Sequence, residues 1–203
     1  MPTVDFGKVT ANAYLDLTLK SNNFECSRRS GPSSRLQVPS QTVDIREAHD
    51  EDWPNIYPIF RTTVEEGRTY AFPEDLSLEE AHPWWMETPP AFTVVAVEED
   101  VVLGSAKMGP NRPGRGSHIA TASFMVDPAK QGRGVGTALG NYVIEWARTH
   151  GYRGMQFNAV VETNVPAVHL WQKLGFEVLT TVPGAFDHSE YGFVGLHVMY
   201  KSL

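Results

Sequence analysis

Apolar positions follow regular spacings over many consecutive elements from about residue 42 onward. Residues 27–40, just before, are rich in Ser, Arg, Pro and Gly, and such a stretch buries too little apolar surface to offset the entropy lost on ordering. Residues 14–19 alternate between apolar and polar and are compatible with one short strand. We therefore predict an N-terminal extension over residues 1–41, with a composition that favours disorder, and one folded domain over residues 42–203.

Within the domain, alternation with a period of two predicts strands, and apolar residues three and four apart predict helices. The predicted elements in chain order are a strand at 43–46, helices at 52–63 and 76–86, a hairpin of strands at 92–97 and 101–108, a strand at 117–126, a helix from about 137 to 150, a strand at 155–161, a helix at 166–174, and strands at 176–182 and 194–200. Loops are expected at 109–116 and 183–191. These elements are best buried as a mixed sheet with helices on both faces, which predicts an α/β (α+β) fold.

Two prolines fall inside predicted helices and are expected to limit them. Pro58 lies within the 52–63 helix, where its missing N–H and its ring predict a break or a kink. Pro83 is expected to limit the next helix in the same way, and Asp75 or Ser77 to open it. Asp52 is the expected N-cap of the first helix, because a carboxylate there can accept from the unpaired N–H groups of the first turn.

Charge and composition argue against several classes of function. Seventeen basic and 24 acidic residues give a net charge of −7, which makes a nucleic-acid partner a poor prediction. No apolar run approaches the ~18 residues of a membrane span, and the N-terminus lacks the pattern of a signal peptide. The single cysteine, Cys26, cannot form a disulfide within the chain, which fits a reducing, cytoplasmic setting. We predict a cytoplasmic protein without a membrane segment, a nucleic-acid partner or a metal site.

The candidate chemistry starts in a glycine-rich segment between a predicted strand and a predicted helix. Gly132, Gly134 and Gly136 let successive backbone N–H groups converge on one anion without interference from Cβ atoms. The N-terminus of the following helix adds unpaired N–H donors and a partial positive charge. Together these features predict a pyrophosphate-binding loop, to which Arg133 can add a charged contact.

Three other interpretations compete for this loop. A dinucleotide-binding loop requires the spacing G-x-G-x-x-G, whereas this one has G-x-G-x-G and its next strand leads to Glu162 about thirty residues on. A nucleotide P-loop requires a lysine and then a hydroxyl residue after the last glycine, and here Thr137 follows without a lysine. A flexible turn is disfavoured because Pro128 and the strong helix on either side favour a fixed geometry.

Two segments resemble the motifs of GNAT-superfamily acetyltransferases. Residues 126–139, VDPAKQGRGVGTAL, are similar to the acetyl-CoA motif with the core [Q/R]-x-x-G-x-[G/A]. Residues 164–176, NVPAVHLWQKLGF, are similar to the second signature, an Asn followed by a helix that ends in L-G-F. The resemblance covers about residues 43–203 and implies a mostly antiparallel central sheet, acetyl-CoA as cosubstrate and N-acetyltransferase activity.

A narrower resemblance is to fungal acetyltransferases that act on azetidine-2-carboxylate and related proline analogues. It rests on residues 113–128 (PGRGSHIATASFMVDP), 157–164 (FNAVVETN) and 67–70 (GRTY). It implies that Asn158 and Asn164 belong to the site, with Asn158 as a catalytic and substrate-binding residue. A site asparagine of that group is replaced here by Thr121, and Tyr70 and Thr121 are expected to contact the substrate.

The broader resemblance also implies which residues hold the cosubstrate. The backbone of Met125 and Val126 is expected to pair with the pantetheine arm as an added strand would. The pyrophosphate is expected on a loop that comprises Gln131, Gly132, Arg133, Gly134, Val135, Gly136 and Thr137. Asn164 is expected to hydrogen-bond the pantetheine or to cap the next helix, and the two roles can coexist.

Acetyl transfer requires a neutral amine as nucleophile. An alkyl amine with a pKa of about 10 is mostly protonated at pH 7, and removing its proton costs roughly 4 kcal/mol, so a base is expected. Candidate bases are Glu162, Glu66, Glu65 and His118, each of which can instead be a surface residue; Glu162 ranks first because it ends the strand beside the cofactor helix. Many GNAT enzymes carry a Tyr in the last helix as the acid for the thiolate, but the matching residue is Trp171, and an indole cannot serve.

These features predict an enzyme that transfers acetyl to the amine of a small molecule, an amino or imino acid or an analogue, by direct attack in a ternary complex. The alternatives are a peptide or protein N-acetyltransferase, which would need an open groove, and a non-catalytic acyl-CoA-binding module. Saturable CoA binding without amine-dependent thiol release would support the module. The family resemblance is also compatible with a homodimer.

Overall fold

The computed structural model describes residues 43–203 and arranges them as a seven-stranded sheet with helices on both faces. The predicted N-terminal extension lies outside the described residues. The strands are β1 (Asp44–Glu47), β2 (Phe92–Glu98), β3 (Val101–Pro110), β4 (Ile119–Val126), β5 (Gly154–Val161), β6 (Glu177–His188) and β7 (Gly192–Ser202). The helices are α1 (Trp53–Glu65), α2 (Leu78–Trp85), α3 (Val135–Thr149) and α4 (Val165–Lys173).

The sheet has the strand order β1-β2-β3-β4-β5-β7-β6. All neighbouring strands are antiparallel except β4 and β5, which are parallel. The predicted mixed, mostly antiparallel sheet is therefore confirmed. The one parallel pair lies at the centre, where β4 leads into the glycine-rich segment.

Two apolar clusters hold the helices on opposite faces of this sheet. One cluster packs α3 and α4 on the sheet through buried residues that include Leu139, Ile144, Phe157 and Leu174. The other packs α1 and α2 through residues that include Ile56, Phe60, Trp85 and Val95. The hydrophobic effect therefore fixes both helix layers on the sheet and holds the loops between them in place.

The parallel strands stay together for only two residue pairs. Ile119 pairs with Gly154 and Ala120 with Met155, and beyond them the Thr121 hydroxyl, not a backbone group, donates to the Gln156 carbonyl at 3.1 Å. On its other side, β5 shifts register against β7 between Phe157 and Val160, and such an irregularity bends and twists a strand. A gap therefore opens between β4 and β5 toward their C-terminal ends.

Of the break or kink predicted at Pro58, the break is wrong, because α1 runs from Trp53 to Glu65 with Pro58 inside it. Pro58 is exposed, so the carbonyl that loses its N–H partner can bond water, while Ile56, Ile59 and Phe60 are buried and hold the helix on the sheet. Pro83 is also exposed and lies inside α2, which ends two residues later.

Asp52 does not cap α1 through its side chain. Its carboxylate instead accepts two bonds from the Arg46 guanidinium, at 2.7 and 2.8 Å, and one from the His49 N–H at 2.9 Å. This bidentate contact with a guanidinium lowers the pKa of Asp52. Ser77, one of the two residues expected to open α2, does cap it, accepting from the Glu80 N–H at 3.2 Å.

The last hairpin is longer than its pattern predicts. Residues 183–188 continue β6 instead of forming a loop, and the turn is confined to the three residues after His188. Pro183 is tolerated because β6 is the edge strand of the sheet and its register shifts between Val182 and Phe186. This extension brings the hairpin turn to the C-terminal end of α1.

Candidate functional site

A cleft of about 530 Å³ lies where β4 ends and α3 begins. Its walls come from the end of β4, the glycine-rich segment, the starts of α3 and α4, and the segment after α1. The lining residues include Thr63, Glu66, Thr69, Phe124, Met125, Val126, Lys130, Gln131, Gly132, Gly134, Val135, Gly136, Thr137, Asn164, Leu170 and Trp171. The structure thus brings nearly all of the predicted cofactor residues to one cavity.

The glycine-rich segment is shaped as an open cradle. Gly132 and Gly134 have φ angles of +77° and +79°, a conformation that side chains disfavour, and a Cβ atom at either position would meet no atom within 4 Å. Gly134 is the N-cap of α3 and has no side chain to accept from the first turn. Helix geometry therefore leaves the N–H groups of residues 135–137 without intrahelical acceptors, at the positive end of the helix dipole. Such a cradle suits a phosphate group.

The positive charge that lines this cleft comes from a residue outside the expected set. Lys130, at the end of a short 3-10 turn, lines the cleft. Arg133 does not line it, because its guanidinium forms an ion pair with Glu98 at the end of β2. Arg133 can thus contribute a backbone N–H while Lys130 supplies the charge, a division that motif spacing alone could not predict.

The edge of β4 that faces the gap is partly occupied by a side chain. The Tyr70 hydroxyl donates to the Phe124 carbonyl at 2.7 Å and accepts from the Phe124 N–H at 2.9 Å. On the opposite edge, the Asp127 N–H donates to Leu103 of β3 at 2.9 Å. Because backbone direction alternates along a strand, the groups of Val126 face the gap and those of Met125 face β3. The geometry thus supports the expected pantetheine contact for Val126, whereas Met125 lines the cleft with its buried side chain.

A second, smaller cavity of about 90 Å³ lies in the gap itself; we call it the inner cavity. It is lined by Thr69, Tyr70, Phe124, Ala159, Val160, Val161, Asn164, Ala167 and Trp171. Trp171 is buried, and its ring centroid lies 5.0 Å from that of Phe124 and 5.2 Å from that of Phe157. Trp171 therefore forms a packed wall of this cavity.

Asn164 lies where the cleft and the inner cavity meet, since it lines both. Its Oδ1 accepts from the Ala167 N–H at 3.3 Å, which caps α4. The capping role is therefore present, and the position beside the cleft leaves the pantetheine contact open as a prediction.

Glu162, the first-ranked base, has its carboxylate turned away from the cleft. It accepts from the Gly195 N–H on β7, and a Cβ atom at Gly195 would lie 2.7 Å from Glu162 Oε2. Glu162 does not line the cleft or the inner cavity. This position gives the carboxylate a role in joining β5 to β7, and its role as a base stays a prediction.

Asn158 and Thr121 come together around Gln156 but do not line the cleft. The Asn158 amide donates to Asn111 Oδ1 at 2.7 Å and accepts from Gln156 Nε2 at 2.7 Å. Thr121 lines a separate cavity of about 180 Å³ with Glu87, Lys107 and Asn111. The substrate contacts expected of Asn158 and Thr121 therefore stay predictions.

A polar cavity of about 260 Å³ adjoins the cleft on the side of the last hairpin; we call it the outer cavity. Its lining includes Glu66, Arg68, Thr69, Gln131, Thr163, Asn164, His188, Glu190 and Tyr191. Thr163 Oγ1 is buried and has no hydrogen-bond partner among the described residues. Glu66 lines both the cleft and the outer cavity, so this residue lies where the two meet.

Three contacts join the segment after α1 to the turn of the last hairpin; we call them the latch. The Ser189 N–H donates to the Gly67 carbonyl at 3.0 Å, and the Ser189 hydroxyl donates to the Glu66 carbonyl at 2.7 Å. The Arg68 guanidinium forms an ion pair with Glu190. Three residues of the latch, Glu66, Arg68 and Glu190, line the outer cavity. Sequence analysis missed the latch because its partners lie more than 120 positions apart.

Two negative findings concern residues 43–203 only. No helix in this part of the chain is long and apolar enough to cross a membrane. The same residues contain no group of three or more His, Cys, Asp or Glu side chains placed to hold a metal ion.

Comparisons with known proteins find a matching family and similar folds. The model of the acetyltransferase (GNAT) family matches residues 43–176. A GCN5-related N-acetyltransferase from Kribbella flavida is 55% identical, with a TM-score of 0.77 over 79% of this chain and 98% of that one. The structure of yncA from Salmonella typhimurium with its cofactor acetyl-CoA is 25% identical, with a TM-score of 0.70 over 80% and 94% of the two chains.

A fungal relative matches over a shorter region. N-acetyltransferase aca1 from Schizosaccharomyces pombe is 30% identical over 128 residues, which is 56% of this chain and 61% of that protein. The chain therefore spans less than two thirds of the length of this curated relative.

Proposed function

The chain belongs to the acetyltransferase (GNAT) family, and on this premise we propose that it transfers the acetyl group of acetyl-CoA to the amine of a small molecule by direct attack in a ternary complex. The observation that carries the small-molecule part is the latch, whose residues Glu66, Arg68 and Glu190 line the outer cavity beside the cleft. A peptide substrate needs a groove that is open at both ends, and we infer that the latch obstructs one. The alternative of an acyl-CoA-binding module predicts binding at the same cleft without transfer.

The residues of the cleft fit acetyl-CoA. The pyrophosphate would be held by the backbone of residues 131–137, where no Cβ atom fills the cradle, and by the Lys130 ammonium. The pantetheine would pair with the Val126 backbone and contact Asn164. Bound in this way, the cosubstrate supplies an acetyl thioester, and everything else must come from the chain and the acceptor.

We propose Glu66 as the group that takes the proton of the attacking amine. It is the carboxylate that lines both the cleft and the outer cavity, so a substrate amine between the two lies within reach of it, directly or through a water. The leaving thiolate, with a pKa near 8.5, needs little help from an acid, which is consistent with Trp171 at the position of the usual tyrosine.

Substitution of single carboxylates tests this assignment. Glu66→Gln should lower kcat/KM by about 10²–10⁴-fold. Glu65→Gln is the matched control, because Glu65 is paired with Arg61 and does not line the cleft. A loss of this size in Glu162→Gln, with Glu66→Gln unaffected, would instead support the base predicted from sequence.

The acceptor class that we propose is an amino or imino acid or a close analogue. The outer cavity is lined by two acidic residues, Glu66 and Glu190, and by Arg68, and this mixture of charges suits a zwitterion. Further contacts with the acceptor, implied by the resemblance, are Tyr70, Thr121 and Asn158. The azetidine-2-carboxylate class is one member of this group.

Breaking the latch tests the preference for small acceptors. The double variant Arg68→Ala/Ser189→Ala should lower kcat/KM for free amino acids relative to that for a tetrapeptide. Arg61→Ala, which breaks an exposed ion pair away from the cavity, should leave this ratio unchanged. If the intact protein already prefers the tetrapeptide, the small-molecule proposal fails.

We also propose a homodimer formed through the last hairpin. β6 has a free edge among the described strands, and Leu179 and Phe193 on this hairpin are 58% and 77% exposed. Exposed apolar side chains on an edge strand favour pairing with another chain. Analytical ultracentrifugation should show a dimer that Leu179→Lys dissociates, and a monomeric intact protein would refute the idea. The cytoplasmic location stays a prediction.

A further inference from the structure

The inner cavity is continuous with the cleft, because five residues line both: Thr69, Phe124, Asn164, Ala167 and Trp171. It extends into the gap between β4 and β5, beyond the open backbone groups of Val126. An acyl chain attached to a pantetheine that pairs with Val126 would therefore enter this cavity. The size and the walls of the cavity then decide which acyl groups fit.

The volume matches a short acyl group. A protein cavity of about 150 Å³ binds benzene, which has six non-hydrogen atoms, so a cavity of about 90 Å³ accommodates roughly three or four such atoms. An acetyl group has three non-hydrogen atoms, and each further methylene adds one. A butyryl group, with five, exceeds what the cavity holds.

Two sides of the inner cavity are fixed by the core. Val160 and Val161 of β5 are 6% and 2% exposed, and Trp171 packs between two phenylalanine rings. These side chains belong to the sheet and to α4. The other large side chains in the lining are Phe124 of β4 and Tyr70, and Tyr70 comes from the segment between α1 and α2.

Tyr70 is held in place at both ends. Its hydroxyl bonds both backbone groups of Phe124, and its ring stacks on Phe72 at 5.1 Å and meets the edge of Trp85 at 5.9 Å. Burial raises the pKa of Tyr70, so the hydroxyl stays protonated and continues to donate to the Phe124 carbonyl. The ring is therefore a rigid wall and cannot swing aside for a longer chain.

We propose that Tyr70 limits the acyl group that this enzyme can use to about the length of acetyl. The proposal rests on the proposed acyl transfer and adds a residue that determines donor specificity. Contacts of the hydroxyl hold the ring, and the volume of the ring closes the cavity. The two features can be separated, since phenylalanine keeps the ring and alanine removes it.

The test compares kcat/KM for acetyl-, propionyl-, butyryl- and hexanoyl-CoA with one amine acceptor. One methylene in an apolar pocket changes specificity by about 10–200-fold, so the intact protein should use butyryl-CoA at least ~10-fold less well than acetyl-CoA. Tyr70→Ala should reduce this ratio by ~10-fold or more, and Tyr70→Phe should retain most of it. Phe72→Ala is the matched control, because it loosens the same aromatic stack without lining the cavity, and it should keep the ratio.

A ratio of two donors on one protein sample does not depend on the fraction that is folded. If Tyr70→Ala does not fold, Tyr70→Leu widens the cavity by less and should shift the ratio in the same direction. Ala159→Val narrows the cavity from the opposite wall and should weaken binding of acetyl-CoA relative to free CoA.

Three results would overturn the proposal: equal use of acetyl- and butyryl-CoA by the intact protein, an unchanged ratio in the alanine and leucine variants, or the same shift in Phe72→Ala. Calorimetric dissociation constants for the four acyl-CoA species keep the test independent of turnover. If no amine is acetylated, but acetyl-CoA binds more tightly than butyryl-CoA and Tyr70→Ala reduces this difference, the proposed transfer fails and the role of Tyr70 stands.

Discussion

Replacing Gly134 by alanine tests the glycine cradle and separates backbone strain from loss of binding. Gly134 has a φ of +79° at the N-cap of α3, and a Cβ atom there meets no protein atom within 4 Å. The substitution should therefore cost about 1–2 kcal/mol of left-handed strain without any clash. For a domain of this size, such a loss lowers Tm by roughly 2–8 °C.

The effect on binding should be larger than the effect on stability. The new methyl group would lie in the open cradle and keep a phosphate from approaching the N–H groups. Losing one hydrogen bond to a charged group costs about 1.5–3 kcal/mol, which raises the Kd for acetyl-CoA by roughly 10–150-fold. Isothermal titration calorimetry measures this Kd directly.

Gly151 provides the matched control. It has a φ of +76° just after α3, and a Cβ atom there also meets nothing within 4 Å, but it does not line the cleft. Gly151→Ala should lower Tm by a similar amount and leave the Kd for acetyl-CoA unchanged. Equal Kd values for the two variants would refute the assignment of the pyrophosphate to this loop.

Three further substitutions probe the fold around the site. The Lys107 side chain is 1% exposed and forms an ion pair with Glu87 at 2.8 Å. Lys107→Met should lower the free energy of unfolding by about 3–5 kcal/mol, and the double variant with Glu87→Gln should lower it by less, because no buried charge is then left unpaired. Equal urea midpoints for the single and the double variant would contradict this. Because Arg46 lowers the pKa of Asp52, the Asp52 carboxylate stabilises the fold above its ordinary pKa of ~3.9 and loses this effect as pH falls through the lower pKa of the folded state. The Tm of Asp52→Asn should therefore differ from that of the intact protein at pH 7, and the two Tm values should converge as the pH falls below about 4. Gly195→Ala would place a Cβ atom 2.6 Å from Thr181 Cγ2 and 2.7 Å from Glu162 Oε2. This crowding should lower the free energy of unfolding by about 1–3 kcal/mol, measured by thermal unfolding. An unchanged Tm would show that the strands move apart without cost.

Much of the sheet and the cradle could be predicted because the signals are local. The apolar face of α3, the hairpin of β2 and β3, and the glycine spacing before α3 each lie within a short stretch of sequence. Local periodicity and turn residues are the features that sequence carries most directly. The extension of β6 through Pro183 could not be predicted in this way. Pro183 is tolerated because β6 is an edge strand, and the place of a strand in the sheet depends on tertiary structure.

The contacts around the acceptor could not be predicted because they join distant parts of the chain. Tyr70 bonds Phe124 across 54 positions, and the latch joins Glu66 to Ser189 across 123. The direction of a side chain at an element end is equally hidden, and so Arg133 pairs with Glu98 while Lys130 lines the cleft. Sequence named the right segments here, and the fold determined which side chains face the site.

Amine-dependent thiol release from acetyl-CoA tests the central claim most directly. The full chain would be incubated with acetyl-CoA and, in turn, with proline, azetidine-2-carboxylate, common amino acids, a polyamine and a tetrapeptide with a free N-terminus. We expect release that depends on a free amino or imino acid, exceeds release with the tetrapeptide, and is greatly reduced in Gly134→Ala when acetyl-CoA is subsaturating. Binding of acetyl-CoA with no release for any amine would contradict the claim and support an acyl-CoA-binding module.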